Sequence, residues 1–167
     1  MLNEILEKIL QKLVEEARKK DGRKPKDSLI IIDSQSVKNT DCAKEKGYDA
    51  GKKVCGIKRH IAVDTNGFPH AILVTTCDIT DRNGAIEMIT NKQKHLLKVK
   101  NVLADGGYNG EKFANEIKKI IGAKVEVVKR SELHKFVVLP KRWIVERSFS
   151  WLEKCRRLWV GILIARC

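Results

Sequence analysis

Asp33 closes the apolar run LIIID, and Asp105 closes NVLAD. Short aliphatic runs of that kind read as buried strands. In an open α/β sheet the carboxyl ends of the strands are where ligands bind. Asp is also a common residue where a strand enters a turn, so either one alone reads more readily as structural. The pair says more, because two ionised carboxylates on neighbouring strands repel unless a cation lies between them. Glu146 offers a third oxygen donor. It shares a helical face with Arg142, Ser150, Glu153 and Arg157, opposite a stripe of Ile144, Val145, Phe149, Trp151, Leu152, Cys155 and Leu158. An ordinary ion pair with Arg142 is the plain alternative for Glu146, although Arg before Glu is the weaker order on a helix. Hard oxygen donors suit magnesium, which takes one or two carboxylates plus substrate phosphate. Two such ions about 4 Å apart can activate an attacking oxygen and stabilise a leaving one. Phosphodiester cleavage is therefore one chemistry open to this set.

The remaining composition narrows the choice. Among 167 residues, 34 Lys+Arg against 21 Asp+Glu give a formal net charge of +13. Residues 1–28 hold eight basic and six acidic side chains, a net of +2, which leaves +11 for residues 29–167. An excess of that size attracts polyanions, nucleic acid first among them. The cysteines at 42, 55, 77, 155 and 167 contain no C-x-x-C pair, and the histidines at 60, 70, 95 and 134 contain no H-x-x-x-H pair. Neither a zinc cage nor a disulfide framework is indicated, and reduced thiols in the cytoplasm are the expectation. A metal, if held, needs oxygen ligands. No apolar run reaches the roughly 18 residues of a membrane span, and nothing near Met1 resembles a signal peptide.

The elements that must position these carboxylates follow from pattern. Leu2, Ile5, Leu6, Ile9, Leu10, Leu13, Val14 and Ala17 recur at helical spacing, and KKDGRKPKDS over 19–28 reads as a linker. A strand is predicted over 29–32, ending at Asp33, followed by a polar loop over 39–51. KRHIAVD and FPHAILVT flank Thr65, Asn66 and Gly67, a strong hairpin signal. Residues 81–97 read as a helix, 102–104 as a strand, 110–121 as a helix and 124–128 as a strand. A long helix is predicted over 142–159, just after Pro140. The order predicts a mixed α/β domain with one central sheet flanked by helices.

Five stretches together carry a family resemblance: IIDSQSVKNT, GYDAGKKVCGIKRHIAVDTNG, DITDRNGA, VLADGGYNG and FVVLPKRWIVERSFSWLEKCRRL. Over residues 28–158 the chain resembles bacterial insertion-sequence transposases with a DDE catalytic domain, the insertion-sequence-5-like group in particular. The resemblance implies a ribonuclease-H-like fold and metal-dependent cleavage and strand transfer of DNA. Asp33, Asp105 and Glu146 are then the three acidic ligands of Mg²⁺ or Mn²⁺. Water attacks the phosphate at the element end, and the freed 3′-hydroxyl attacks target DNA. Arg142 is expected on a phosphate, with Lys52, Lys53, Lys58, Arg59 and His60 as a second cluster on the DNA backbone and Lys154 as a further contact. A solvated loop is the plain alternative for that second cluster. Gly106 and Gly107 would permit close backbone approach beside Asp105.

The likeness departs from the group's pattern in places. Leu139 stands where a Tyr is usual, and Glu153 where a Lys is usual, with Lys154 one step late. Expected partners are double-stranded DNA, as element ends and target, and further copies of the chain in a homo-oligomer, within the bacterial cytoplasm at the nucleoid. The expected organisation is a helix and linker over 1–27, the catalytic domain over 28–158 and an apolar tail over 159–167. Full-length members carry a further N-terminal segment that helps recognise element ends, so a shortened transposase is expected here. A catalytically silent DNA-binding remnant is the alternative.

Overall fold

The structure, a computed structural model, describes residues 2–38, 45–128 and 142–154. The β-branched run at 29–32 does begin a strand, but β1 (Leu29–Lys38) continues well past Asp33. Its antiparallel neighbour β3 (Val54–Val63) supplies the reason, pairing with β1 from Ile31↔Val63 through Asp33↔Ile61 to Lys38↔Gly56. On its other side β1 is parallel to β5 (Asn101–Asp105), and that ladder runs from Leu29↔Asn101 to Ile31↔Leu103. Asp33 therefore lies in mid-strand, just beyond the parallel pairing, rather than at a strand end.

The polar loop contributes a short strand that its composition hides, β2 (Gly47–Asp49), paired to the start of β3. The Asn-Gly turn joins β3 to β4 (Pro69–Thr76) as the hairpin signal predicts. β6 (Lys124–Val128) pairs in parallel with β5, giving a six-stranded mixed sheet ordered β2-β3-β1-β5-β6 with β4 also on β3. The helices are α1 (Leu2–Lys20), α2 (Asp81–Asn91), α3 (Gln93–Leu96), α4 (Glu111–Ile121) and α5 (Arg142–Lys154). The helix predicted over 81–97 is thus interrupted at Lys92, where the backbone leaves helical geometry. Residues 155–159 of the predicted final helix, and the tail, lie outside the described residues.

Strand alternation sorts the core into two layers. Ile30, Ile32, Ala62, Val102 and Ala104 pack with Met88 and Ile89 of α2 and Phe113 and Ile117 of α4. On the opposite face Ile31, Ile61 and Val63 pack with Ile144, Val145 and Phe149 of α5, and Leu103 joins them. Trp151, expected in the sheet-facing stripe, is 48% exposed. It lies instead beside Arg147, whose guanidinium is 4.7 Å from its ring and 4.6 Å from that of Trp143. Packing of α1 is also partial, with Val14 and Arg18 buried while Ile5, Ile9 and Leu13 face outward.

Candidate active site

Residues 31, 33 and 35 of β1 share one sheet face, as do 103 and 105 of β5. Ile31 and Leu103 pack in the α5 layer, so the same alternation turns Asp33 and Asp105 toward α5. Both aspartates line one small cavity with Val145 of α5, closed by Ile31, Leu103 and Val128. Glu146 follows Val145 and is exposed. Two helical turns further on, Glu153 accepts a 2.6 Å hydrogen bond from the Gln35 side chain. The eight residues from Val145 to Glu153 rise about 12 Å, and the four from Ile31 to Gln35 about 13 Å. The helix therefore runs alongside β1, with the face of Glu146 and Glu153 turned to one flank of that strand.

Local hydrogen bonding fixes each aspartate. Asp33 accepts from the Ser34 amide at 2.8 Å. Asp105 caps a single 3₁₀ turn over Gly106–Tyr108, accepting from the Gly107 amide at 2.9 Å. Tyr108 fills the space beneath, 1% exposed. Burial first, and then the nearby carboxylates of Asp33, Asp81 and Asp105, push its phenol well above the ordinary range.

The first turn of α2 ties the two aspartate-bearing segments together, a feature sequence reasoning did not single out. Arg82 donates to the Gly107 carbonyl at 3.1 Å, two residues past Asp105. Asp81 forms a 2.9 Å ion pair with Lys58 and faces the Ser34 hydroxyl, next to Asp33. Burial opposes ionisation of Asp81, but the Lys58 and Ser34 contacts prevail and hold its pKa below the usual value. The signal was present in DITDRNGA, where Thr80 acts as N-cap and accepts from Asn83.

α5 is held in place from a different direction. Arg147 donates to the Asn66 carbonyl at 2.7 Å, and the Ser148 hydroxyl lies 3.1 Å from the Gly67 carbonyl. The same turn accepts α1, because Arg18 bonds both Asp27, at 3.0 Å, and the fully buried Asp64. Asp64 also accepts from the Asn66 and Phe68 amides at 2.8 and 3.0 Å. Burial would raise its pKa, yet contacts from His70, Asn66, Arg18 and Phe68 hold it at about 2. Asp27, Asp64 and His70 have donor atoms within 4.8 Å of one another. Arg18 already supplies the positive charge there, so this trio reads as an ion-pair network. A site for two ions is wider than such a trio, since the ions alone stand about 4 Å apart.

The expected DNA-contact cluster requires correction. Lys58, Arg59 and His60 are 4%, 3% and 0% exposed and so cannot reach a backbone phosphate. β3 is a central strand covered on both faces, and alternation sends these side chains inward in turn. Lys58 bonds Asp49 and Asp81. Arg59 lies under α5 toward Glu153, its pKa lowered first by burial. His60 packs on Gly84 of α2 and meets the Thr75 hydroxyl at 3.0 Å. Lys52 and Lys53 remain exposed, and Lys52 Nζ lies 3.5 Å from the Ser34 carbonyl and 3.8 Å from the Asp81 carboxylate. Lys154 is exposed at the end of α5, and Arg142 begins that helix.

Comparison with known proteins places this geometry in context. The family model described as "Transposase DDE domain" matches residues 24–162. A Burkholderia cepacia protein named "Putative transposase for insertion sequence element IS402" is 33% identical over 110 residues, 62% of this chain and 52% of that protein. The chain thus spans about half the length of the curated relative it matches. A chain of the simian T-cell lymphotropic virus intasome, solved in complex with PP2A regulatory subunit B56 gamma, superposes with a TM-score of 0.50 at 16% identity. That match covers 77% of this chain and 39% of the viral one, and supports the fold. The catalytic core domain of BIV integrase gives a TM-score of 0.49 at 14% identity, over 80% and 72% of the two chains.

Proposed function

Because the chain belongs to the transposase DDE-domain family, we propose that it is the catalytic domain of an insertion-sequence transposase, cutting and joining DNA strands at Asp33, Asp105 and Glu146. The observation that carries this reading is the turning of Asp33 and Asp105 toward α5, at one cavity closed by Val145 next to Glu146. The donor set consists of carboxylates on three different elements, a hard-oxygen chemistry that fits Mg²⁺ or Mn²⁺. Such ions, when bound, supply Lewis acidity and activate an attacking oxygen.

The chain's own residues do the positioning. Asp33 and Asp105 are anchored by adjacent backbone amides, and Arg82 and Asp81 fix the segments that carry them. Glu146 rides on a helix locked to the hairpin turn by Arg147 and to β1 by Glu153. Lys52, exposed next to the Ser34 carbonyl, is suited to a backbone phosphate of the bound strand, with Lys53, Arg142 and Lys154 as further cationic contacts. The substrate is double-stranded DNA, first the element end and then the target, and the active form is a homo-oligomer at the bacterial nucleoid.

Nicking of supercoiled plasmid in Mg²⁺ or Mn²⁺ tests the proposal by comparing this chain with Glu146→Gln. Metal-dependent nicking that falls at least 100-fold in the variant supports it. Equal activity in both overturns the role of Glu146. Absence of nicking with salt-sensitive DNA binding retained would instead establish a binding remnant. Analysis of products separates hydrolysis, which leaves nicks, from strand transfer, which leaves joined strands.

A further inference from the structure

β1 and β5 run parallel, so their first residues meet at the edge of the sheet remote from Asp33 and Asp105. The segments leading into them are strongly basic. Arg23, Lys24 and Lys26 approach from one side and Lys98 and Lys100 from the other, lining a single open basin. Backbone bonds set the approach, with the Ser28 carbonyl accepting from the amides of Lys100 at 2.8 Å and Asn101 at 3.0 Å. Lys124, at the start of β6, joins the same edge by donating to the Lys100 carbonyl at 2.8 Å.

The basin has one carboxylate, Asp27, and it is committed to Arg18 at 3.0 Å. Among the described residues Lys24, Lys26, Lys98 and Lys100 form no ion pair, and all four are exposed. Five like charges held together by backbone geometry repel one another, and an anion relieves that repulsion. Lysine tips are mobile point charges, suited to a row of phosphates rather than to one fixed bidentate ligand. Leu29 lies four residues before Asp33, about 13 Å along the strand. One helical turn of duplex DNA, about 34 Å, is longer than that separation.

We propose that this basin is a second contact for the DNA backbone, gripping the duplex independently of sequence at the edge of the sheet away from the carboxylates. It rests on the reading of DNA as the substrate but not on which residues cut it. It also supplies the cationic surface that burial of Lys58 and Arg59 removes from the expected site.

The test is equilibrium binding of a fluorescent 30-base-pair duplex between about 50 and 200 mM salt. The variant carrying Lys24→Gln, Lys26→Gln, Lys98→Gln and Lys100→Gln is compared with a control that loses the same charge elsewhere, at exposed Lys94, Lys112, Lys118 and Lys119. Each lost phosphate contact lowers the log–log salt slope by about 0.9, so the basin variant should lose roughly 2–4 units and at least tenfold in affinity. The control should stay within one unit of the parent. Equal losses in both variants, no loss in the basin variant, or tighter binding to anionic lipid vesicles than to duplex would each overturn the proposal. Binding unchanged in Asp33→Asn, with nicking absent from the parent, would sink the catalytic reading and leave this one standing.

Discussion

Gly84 faces the imidazole of His60 so closely that a Cβ there would stand 2.1 Å from Cε1. Gly84→Ala improves helix propensity, but the overpacking dominates, and a net loss of about 1–3 kcal/mol is expected in urea unfolding. His60 itself is held to about 4, first by burial, with Asp81 favouring the charged form and Lys58 and Lys52 opposing it. Between that value and the ordinary 6.5 the unfolded chain binds a proton that the folded chain refuses. Stability should therefore fall as pH drops through this window. His60→Gln should flatten that slope, as read by denaturant midpoints at pH 7 and pH 5. These positions also mark where the sequence was hard to read. Asp33 and Asp105 stood out because each closes an apolar run, and Glu146 because it sits on a polar helix face opposite an apolar stripe. Lys58, Arg59 and His60 read as a surface cluster because charge usually marks exposure. Their partners Asp49, Asp81 and Glu153 come from distant segments that only the fold assembles.

At the level of elements the turn between β3 and β4 is the junction, since it receives α1 through Asp64 and α5 through Asn66 and Gly67. Arg18→Ala leaves the Asp64 carboxylate buried without its cation, and a loss of about 3–5 kcal/mol is expected by thermal or urea unfolding. With the Asp64 pKa depressed to about 2, the folded chain resists a proton that the unfolded chain accepts near 4. The stability Asp64 contributes is present above pH 4 and should disappear as pH falls from 4 to 2. Asp64→Asn should remove that part of the acid limb. The hairpin was legible because Asn-Gly specifies its turn. The length of β1 was not, because its polar second half, DSQSVK, is made a strand by pairing with β3 rather than by its own composition. The break at Lys92 likewise has no Gly or Pro to announce it.

Across the whole molecule, Asp33 and Asp105 line one small cavity, while a basic basin of Arg23, Lys24, Lys26, Lys98 and Lys100 lies where β1 and β5 begin. The net charge of +13 points to a polyanion, but not to where on the surface it would lie. A divalent ion that binds the folded state alone raises stability by mass action. Addition of Mg²⁺ or Mn²⁺ should therefore raise the Tm of the parent chain and leave that of Asp33→Asn/Asp105→Asn unchanged, a comparison that scanning calorimetry makes directly. The locking of α5 to the hairpin turn, with Arg147 bonded to a residue 81 positions earlier, has a further consequence. During synthesis the sheet from β1 to β6 can close while α5 is still inside the ribosome. The nascent domain then presents Asp33 and Asp105 without Glu146. On the proposed assignment of these three carboxylates, the site is complete only once α5 has docked.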